Sequence, residues 1–429
     1  MKLKLLIACM VITALYSCKS RRDRIEESNV IDVEYAYENL TTLKVSDFGK
    51  TVRYIPLETA DDGLVGRYHI VKVLKKYIVI EYQNGWEDTG KCLLFNKEDG
   101  SFISEIGHAG QDPMAFSEIF SWADEKEEFL YFQRDPDQLI KYDMKGIFCG
   151  KVEFLPFGNN YYHMADYFLI NDSEFIGYYC DLLRLRPYAL AFFDKEGHLQ
   201  DSIPPFYATQ FIQSVLSREG AVGMGRSYMK MLGNWAKGGF SSYSYRNNDN
   251  IILPISPFAA RLWKYNDVIR FKEDYVDTLY SIRERKLVPS IVFHTGKYHY
   301  TYEEIPRLSL RKDHVFISDV SENNDFVFFQ CIYNLHVSKI RPVTYNGLFN
   351  KQTGETKIGK LSDGIEDDLT RFMPFNPLGM STAGEFFSLV EAHVVMEWLE
   401  EHPEALANEK LSFLKELDEY SNPVVILVE

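Results

Sequence analysis

The sequence is short of basic residues, because 47 lysines and arginines stand against 62 aspartates and glutamates and give a net charge of −15. An acidic chain repels phosphate backbones, and no basic stripe interrupts the acidic excess, so we expect no nucleic-acid partner. Long apolar runs are also missing. The N-terminal run from Leu5 to Leu15 is too short to span a bilayer.

Cysteine is scarce as well. None of the six cysteines is spaced as C-x-x-C, which argues against a zinc knuckle and against a thioredoxin-type redox site. A lone cysteine inside an apolar, strand-like run is most often a small core residue. Four cysteines fit that description: Cys92, Cys149, Cys180 and Cys331. An exported location would permit disulfides among them, so the sequence leaves their redox state open.

The motifs of several enzyme classes are absent. The chain contains no G-x-S-x-G elbow, no H-E-x-x-H and no G-x-x-x-x-G-K. His294 and His299 are five residues apart, a spacing that in a strand directs them to opposite faces and makes them poor joint metal ligands. No motif therefore nominates a catalytic residue, and we expect no cofactor.

The N-terminus has the order of a targeting segment, with Lys2 and Lys4 before the apolar run. Ser17-Cys18 at the end of that run resembles a bacterial lipobox, in which the cysteine thiol is acylated and becomes the first mature residue. We predict a lipoprotein signal peptide over residues 1–17, with lipidated Cys18 and a tether over residues 18–48. The predicted location is the bacterial cell envelope, lipid-anchored at the outer membrane and facing the periplasm. The alternative is an ordinary secretory signal in which Cys18 is incidental.

Aromatic residues make up 15% of the chain, which favours a β-rich architecture. Residues 93–107 (LLFNKEDGSFISEIG) place an Asx–polar–Gly turn between two strand-like runs. The same order recurs, with turn glycines at Gly100, Gly146, Gly197 and Gly354. A period near 50 residues is typical of β-propeller blades, and the long last interval leaves room for two further units. We therefore predict one domain over residues 49–429, an all-β propeller with six blades, whose turn acids lie in solvent.

Several phrases resemble one family, the six-bladed β-propeller lipoproteins of Bacteroides and relatives, with blades of the NHL and YWTD type. They are residues 54–59 (YIPLET), 106–116 (IGHAGQDPMAF), 277–280 (DTLY) and 422–427 (NPVVIL). In the second phrase Asp112 replaces a glycine and Ala115 replaces a glutamate of the family pattern, so no role of that glutamate is carried over. The resemblance implies the fold and the envelope location, and it lends no catalytic residue.

The C-terminal part departs from the blade pattern. Apolar residues from Phe386 to Leu399 recur at helical spacing, and a second helix is predicted up to about Leu417. We therefore predict a short helical insertion at about residues 382–418, whose apolar stripe packs on its own domain. The run Val424–Val428 is predicted to be a closing strand that pairs with the segment Thr51–Leu57 and removes two open edges.

Two segments are candidates for ligand binding because they interrupt the repeat. An acidic run at residues 363–368, at the mouth of a propeller channel, would bind a cation or a polyhydroxy ligand; the alternative is a solvated turn. A glycine-rich stretch at residues 223–239 would offer aromatic stacking and an anion contact on a long loop; the alternative is an irregular blade insertion. The candidate side chains are Asp363, Glu366, Asp367, Asp368, Arg226, Tyr228 and Trp235.

These patterns favour a lipid-anchored binding or scaffold module for a peptide, a glycan or a partner protein. The alternative is a propeller-type hydrolase or lyase that cleaves glycans with paired carboxylates at the central channel. The repeat of sialidases is absent, because residues 96–102 break its order. A cation in the channel is compatible with both hypotheses.

Overall fold

The computed structural model describes residues 29–429 with gaps at 67, 85–89, 118, 136–137, 155–166, 180–187, 207–240, 246–250, 256–261, 274–275, 302–303, 305–312 and 335–341. Its N-terminal part contains β1 (Asn29–Asp32), α1 (Val33–Glu38), a 3-10 turn (Val45–Asp47) and β2 (Val52–Pro56). Another 3-10 turn (Asp61–Gly63) leads into the first blade.

Blades 1 to 3 are four-stranded antiparallel sheets that follow in chain order. Blade 1 is β3 (Tyr68–Val73), β4 (Tyr77–Gln83), β5 (Lys91–Asn96) and β6 (Phe102–Glu105). Blade 2 is β7 (Ser121–Ala123), β8 (Phe129–Asp135), β9 (Gln138–Asp143) and β10 (Phe148–Glu153). Blade 3 is β11 (Tyr167–Ile170), β12 (Phe175–Tyr178), β13 (Leu190–Phe193) and β14 (Leu199–Ile203). A separate two-stranded sheet, β15 (Ser241–Tyr245) and β16 (Ile251–Ile255), precedes the next blade.

Blades 4 to 6 complete the ring. Blade 4 is β17 (Leu262–Tyr265), β18 (Val268–Lys272), β19 (Thr278–Arg283) and β20 (Lys286–His294), with β1 added as a fifth strand. Blade 5 is β21 (Val315–Glu322), β22 (Phe326–Tyr333), β23 (Val343–Asn350) and β24 (Thr356–Lys360). Blade 6 is β25 (Gly379–Met380), β26 (Phe386–Val390), β27 (Val424–Val428) and β2. Helix α2 (Ala392–Glu401) and 3-10 turns (Pro403–Ala407 and Glu409–Lys415) lie between β26 and β27, and others (Gly296–Tyr298 and Leu361–Asp363) lie between blades.

The first strand of each blade is the inner one. Strand β11 contacts both β7 and β17, and β21 contacts β25. Apolar side chains fill the space between neighbouring sheets; for example, Ile80 of blade 1 packs with Leu427 of blade 6 and Val79 packs with Phe132 of blade 2. The prediction of a six-bladed, all-β propeller is thus confirmed.

The turn signals are confirmed at all four positions. The φ angles of the turn glycines lie between +72° and +89° at Gly100, Gly146, Gly197 and Gly354. In the first turn the Asn96 carboxamide accepts a hydrogen bond from the Glu98 amide at 3.0 Å. Glu98 and Asp99 are exposed as predicted, but Lys97 between them is buried and its Nζ lies 2.5 Å from Glu385 Oε2. The turn therefore has one inward-facing cation.

The interval between Gly197 and Gly354 was expected to hold two further blades. Within the described ranges it holds one four-stranded blade and the β15–β16 sheet, and the sixth blade forms where the two chain ends meet. Blade 4 escapes the glycine pattern because its last turn is a two-residue hairpin, Glu284-Arg285, in which both residues have positive φ. Such a turn needs no glycine in the sequence, although glycine or Asx favours it.

Ring closure follows the prediction. Strand β2 pairs antiparallel with β27, from Val52 opposite Val428 to Pro56 opposite Val424. Val424 to Val428 are buried throughout, because the strand lies between β26 and β2 and has packed side chains on both faces. The closing strand therefore leaves no edge at the junction of the chain ends.

Two predicted boundaries are wrong. Phe386–Val390 was assigned to the helical insertion but is β26, because Phe386 and Phe387 pack toward opposite neighbouring cores, as in a doubly buried strand. Residues 29–48 were assigned to the tether but belong to the fold. Their Ile31 and Val33 side chains are fully buried. We call Asn29–Phe48 the strap, because it follows the perimeter from blade 4 to blade 6.

Two further structural findings bear on the sequence analysis. Cys92 and Cys331 are buried free thiols, as expected of core residues, whereas Cys149 is exposed. In the part of the chain that the structure describes, no helix is long and apolar enough to cross a membrane.

Candidate functional site

The two ends of the propeller differ in how their strands are joined. At one end, which we call the hairpin face, turns of two to five residues join the first strand to the second in every blade and the third to the fourth in blades 1 to 5. The opposite end, which we call the loop face, carries the connections between blades and between second and third strands. These include residues 361–378 and 391–423. The loop face therefore holds most of the sequence that departs from the repeat.

Polar contacts link neighbouring blades around the whole hairpin face. From blade 6 to blade 1 the Thr382 amide donates to the Val73 carbonyl. In order, the contacts are Thr382 N–Val73 O (3.1 Å), Lys75 N–Glu127 Oε1 (2.7 Å), Lys126 Nζ–Asp172 Oδ2 (3.1 Å), Arg285 Nη2–Glu174 Oε2 (3.1 Å), Asn266 Nδ2–Asn324 Oδ1 (3.0 Å) and Asn323 Nδ2–Gly384 O (3.0 Å). We call this closed series the hairpin circuit. It fixes the turns of all six blades relative to one another.

A buried ion network supports the circuit between blades 4 and 5. The Arg270 guanidinium donates through Nε to Glu322 Oε1 at 2.7 Å, and Lys351 Nζ donates to Glu322 Oε2 at 2.7 Å. The Tyr265 ring lies 4.0 Å from Lys351 Nζ. The Glu322 side chain is 1% exposed. Burying a charge costs free energy unless an opposite charge lies beside it. Here the Glu322 carboxylate is paired with both Arg270 and Lys351, which offsets the cost of burying it.

A second network joins blades 1 and 2. Glu81 is fully buried on β4, and its Oε1 accepts from Lys72 Nζ at 2.6 Å, from the Ser121 amide at 2.8 Å and from the Ser121 hydroxyl. Glu81 also lies opposite Cys92, and burial raises the pKa of that thiol well above its ordinary value, with the Glu81 charge adding to the effect. These contacts tie two inner strands together and keep the thiol protonated.

Sequence reasoning missed both networks. A usable signal exists in each case, because a charged residue interrupts an apolar strand: Glu81 in YIVIEYQ, and Arg270 (followed by Lys272) in VIRFK. A buried charge in such a run requires a partner. The partner itself is not visible in the sequence, since Ser121 is 40 and Glu322 is 52 residues away from its mate.

The predicted acidic run lies on the loop face between blades 5 and 6. Asp367 is buried, and its carboxylate accepts from the backbone amides of Leu369 (3.1 Å), Thr370 (2.9 Å) and Phe372 (3.2 Å). It also accepts from the Tyr54 hydroxyl at 3.0 Å. Burial raises the pKa of Tyr54 well above its ordinary value, so the phenol stays a donor. Asp367 therefore organises the connection from blade 5 to blade 6.

The other acids of the run divide into two groups. Glu366 and Asp368 hold the strap: Lys44 Nζ lies 3.3 Å from Glu366 Oε2, and the Ser46 amide donates to Asp368 Oδ1 at 3.0 Å. Burial alone would raise the pKa of Asp368, but the hydrogen bonds from Ser46 outweigh it and lower that pKa. Asp363 is exposed and accepts from the neighbouring Ser362 hydroxyl. The run thus clasps the strap instead of converging on one point.

The helical insertion of blade 6 packs beside this clasp. Val395 of α2 is fully buried with Leu411 and Leu414 in a core shared with the strap. Asn408 Nδ2 donates to the Thr370 carbonyl at 2.8 Å. The insertion, the connection 361–378 and the strap therefore form one assembly, which we call the blade 6 platform.

The outer surface of the platform is acidic. Residues 391–423 contain nine acids and two lysines. Glu391 is half-buried and lies 3.4 Å from His69 Nε2. Eight acids are exposed: Glu397, Glu400, Glu401, Glu404, Glu409, Glu416, Asp418 and Glu419. This is a negatively charged surface on a rigid support.

Each buried carboxylate that the structure describes accepts at least one hydrogen bond, although Glu81 Oε2 has no donor among the described residues. Glu127, for example, accepts from the amides of Lys75 and Lys76 and from the Thr382 hydroxyl. Among the described residues, one group has metal-ligand spacing, with ligand atoms within 4.8 Å of one another: Asp194, Glu196 and His198. It lies in a turn of blade 3, where the Asp194 carboxylate already accepts the amide of His198 at 2.8 Å. The hydrogen bonds of Glu127 and Asp194 therefore indicate a structural role for these two carboxylates.

The remaining sequence candidates cannot be placed. Cys18, Arg226, Tyr228 and Trp235 lie outside the described residues. The last three fall between β14 and β15, in the connection from blade 3 to blade 4.

Comparison with known proteins supports the fold. A crystal structure of a protein from Bacteroides fragilis, described as a "putative exported protein", superposes with a TM-score of 0.55 at 13% identity, covering 91% of this chain and 97% of that one. A member of the DUF4221 family from Bacteroides vulgatus gives a TM-score of 0.47 at 12% identity, covering 89% and 96%. No curated protein sequence matches the chain. The profile of the family described as domain of unknown function (DUF4934) matches residues 28–429, and the chain therefore belongs to that family.

Proposed function

We propose that the chain is an exported, lipid-anchored binding module of the bacterial cell envelope, and that the blade 6 platform on its loop face receives a basic partner protein or peptide. The contrast between the two faces carries this proposal. On the hairpin face the polar groups of the turns satisfy one another in a closed circuit. On the platform, eight exposed carboxylates have no ion-pair partner among the described residues.

Export is supported by two independent observations. The N-terminus combines Lys2 and Lys4, the short apolar run and Ser17-Cys18 in the order of a lipoprotein signal. The similar Bacteroides fragilis structure is itself described as exported. Lipidation of Cys18 would keep the propeller at the membrane. We propose that it faces the periplasm from the outer membrane, because Lys19, Arg21 and Arg22 follow Cys18 in place of the acidic residues that often follow the cysteine of surface-exported lipoproteins.

Charge favours a basic polypeptide over an anionic ligand. The platform carries seven more acids than lysines over residues 391–423. Complementary charge speeds encounter and excludes partners of like charge. The acids belong to an insertion whose apolar residues are buried in the core. Because this insertion is already ordered, we expect binding to lose little conformational entropy of the module.

The test is site-specific photo-crosslinking in intact cells. A photoreactive residue at Glu404 on the platform should capture a discrete protein, whereas the same residue at Glu355 on the hairpin face should not. The triple variant Glu400→Lys, Glu401→Lys, Glu416→Lys should abolish capture at position 404. A matched triple on exposed hairpin-face acids, Glu98→Lys, Glu196→Lys, Glu355→Lys, should leave it unchanged. Equal capture from both faces, or no effect of the platform triple, would refute the proposal.

The anchor is tested separately. Cys18→Ala should move the protein from the membrane fraction to the soluble fraction, and mass spectrometry of the native protein should detect the acylated cysteine. Membrane retention of the Cys18→Ala protein would refute lipidation while leaving the platform hypothesis untouched.

A further inference from the structure

The chain joins the propeller at one defined point of its perimeter. Strand β1 pairs in parallel with β20, from Asn29 opposite Ile291 to Asp32 opposite His294, and it forms the outermost strand of the five-stranded blade 4. The other blades have four strands each. The N-terminal segment therefore reaches the fold at the rim of blade 4 and at neither face.

This attachment is firm. Ile31 is fully buried under β20 and Val33 at the start of α1 is fully buried as well. The Glu34 carboxylate accepts the Lys297 amide at 3.0 Å, and Asp32 caps α1 by accepting the Tyr35 amide at 3.1 Å. The buried side chains, the pairing with β20 and these hydrogen bonds make the segment part of blade 4.

The distance from the lipid is short. Eleven residue steps separate Cys18 from Asn29, and a fully extended chain of that length spans at most about 40 Å. If Cys18 is acylated, the anchor reaches the fold through β1, so the rim of blade 4 lies within this distance of the bilayer. This step rests on the lipid anchor of the proposed function.

The rim of blade 4 also has suitable charge. Its outer hairpin, Arg283-Glu284-Arg285-Lys286, carries three cations and one acid; Arg285 is paired with Glu174, whereas Lys286 is exposed. The corresponding hairpin of blade 1, on the opposite side of a six-bladed ring, exposes Glu98 and Asp99. Cations near an anionic lipid surface are attracted to it, and acids are repelled.

We propose that the propeller stands on the membrane by its rim, with blade 4 proximal and blade 1 distal, so that both faces remain accessible to partners. Such an orientation would leave the acidic insertion of the blade 6 platform (residues 391–423), two blades away from blade 4, exposed to the compartment. A face-on orientation would instead place one whole ring of turns or loops against the lipid.

The experiment compares two rim positions in acylated protein bound to vesicles of phosphatidylethanolamine and phosphatidylglycerol. Single cysteines at Lys286→Cys and Glu98→Cys, in a Cys149→Ser, Cys180→Ser background, carry a fluorescent donor, and the vesicles contain an acceptor lipid. Both positions lie in the outer hairpin of a blade, so a face-on propeller gives equal energy transfer. We expect higher transfer from position 286 than from position 98. Equal transfer, or higher transfer from position 98, would overturn the inference.

Two variants separate attachment from orientation. Ile31→Asp should release β1 from blade 4 and remove the difference between the two labels, while the protein still floats with the vesicles. Val30→Asp is the matched control, because the Val30 side chain is 54% exposed, and it should retain the difference. Thermal unfolding of both variants checks that the blades stay folded. Failure of the wild-type protein to float would refute the anchor itself, a result distinct from floating with equal transfer.

Discussion

The hairpin face and the loop face use polar residues in opposite ways. On the hairpin face several charged groups are buried and paired across blades, as with Lys97 and Glu385 at side-chain exposures of 5% and 13%. On the blade 6 platform the acids lie in solvent above an apolar core. The comparison teaches that charged residues stabilise the ring where cations and acids are paired, and that they form a charged surface where acids are in excess.

We expect the largest loss of stability when the buried ion network at the hairpin face is disrupted. Glu322→Ala would leave Arg270 and Lys351 without their shared carboxylate, and loss of one partner from a buried ion pair costs about 3–5 kcal/mol. We expect a loss of that size in the free energy of unfolding, measured by denaturant titration. Glu355→Ala, an exposed acid of the same blade, should stay within about 0.5 kcal/mol of the wild type. A cost below about 1 kcal/mol for Glu322→Ala would show that the network is not structural.

The turn glycines allow the next comparison within the hairpin face. A Cβ at Gly197 would lie 2.1 Å from the Glu153 carbonyl oxygen of blade 2, whereas a Cβ at Gly354 meets nothing within 4 Å. Both residues have positive φ, so both alanine variants carry about 1 kcal/mol of backbone strain. Gly197→Ala should cost a further amount of about 1–3 kcal/mol because blade 3 must move away from blade 2. Equal unfolding free energies for the two variants would contradict this contact.

The loop face is tested by Asp367, a buried acid of the connection between blades 5 and 6. Asp367→Ala removes the acceptor of three backbone amides and of the Tyr54 hydroxyl, and unsatisfied buried donors cost about 1–3 kcal/mol. Asp363→Ala, an exposed acid of the same run, should change stability by less than about 0.5 kcal/mol. Chemical denaturation of both proteins is the measurement. If the two variants lost the same free energy of unfolding, the burial of Asp367 and its hydrogen bonds would not contribute to stability.

The sequence was informative where the determinants are local. Asx and glycine residues define turns within five residues, so Gly100, Gly146, Gly197 and Gly354 located four blades. The Glu284-Arg285 turn gave no such signal, although it performs the same task. Closure by Val424–Val428 was predictable because a ring requires its two ends to pair.

The candidate site depended on contacts that are distant in the chain. The acidic run was located correctly as a break in the repeat, but its partners Tyr54 and Ser46 lie more than 300 residues away. In the structure Asp367 organises the connection between blades 5 and 6, and Asp368 holds the strap through Ser46. The strap itself was missed because a short polar segment after a signal peptide has the composition of a tether, and only the burial of Ile31 shows otherwise.

The smallest expected effect concerns the clasp between Ser46 and Asp368. The hydrogen bonds from Ser46 lower the pKa of Asp368 below its ordinary value, so the folded state favours the carboxylate. This stabilisation is present above the ordinary pKa of an aspartate, about 3.9, and is lost as the pH falls through the lower folded value. Because the Asp368 side chain is largely exposed, we expect this stabilisation to contribute less than about 1 kcal/mol to the free energy of unfolding. Ser46→Ala should flatten the dependence of the unfolding free energy on pH between about 5 and 2, with Ser412→Ala as an exposed serine control. An unchanged slope would show that the Ser46 hydroxyl does not contribute to the lowered pKa of Asp368.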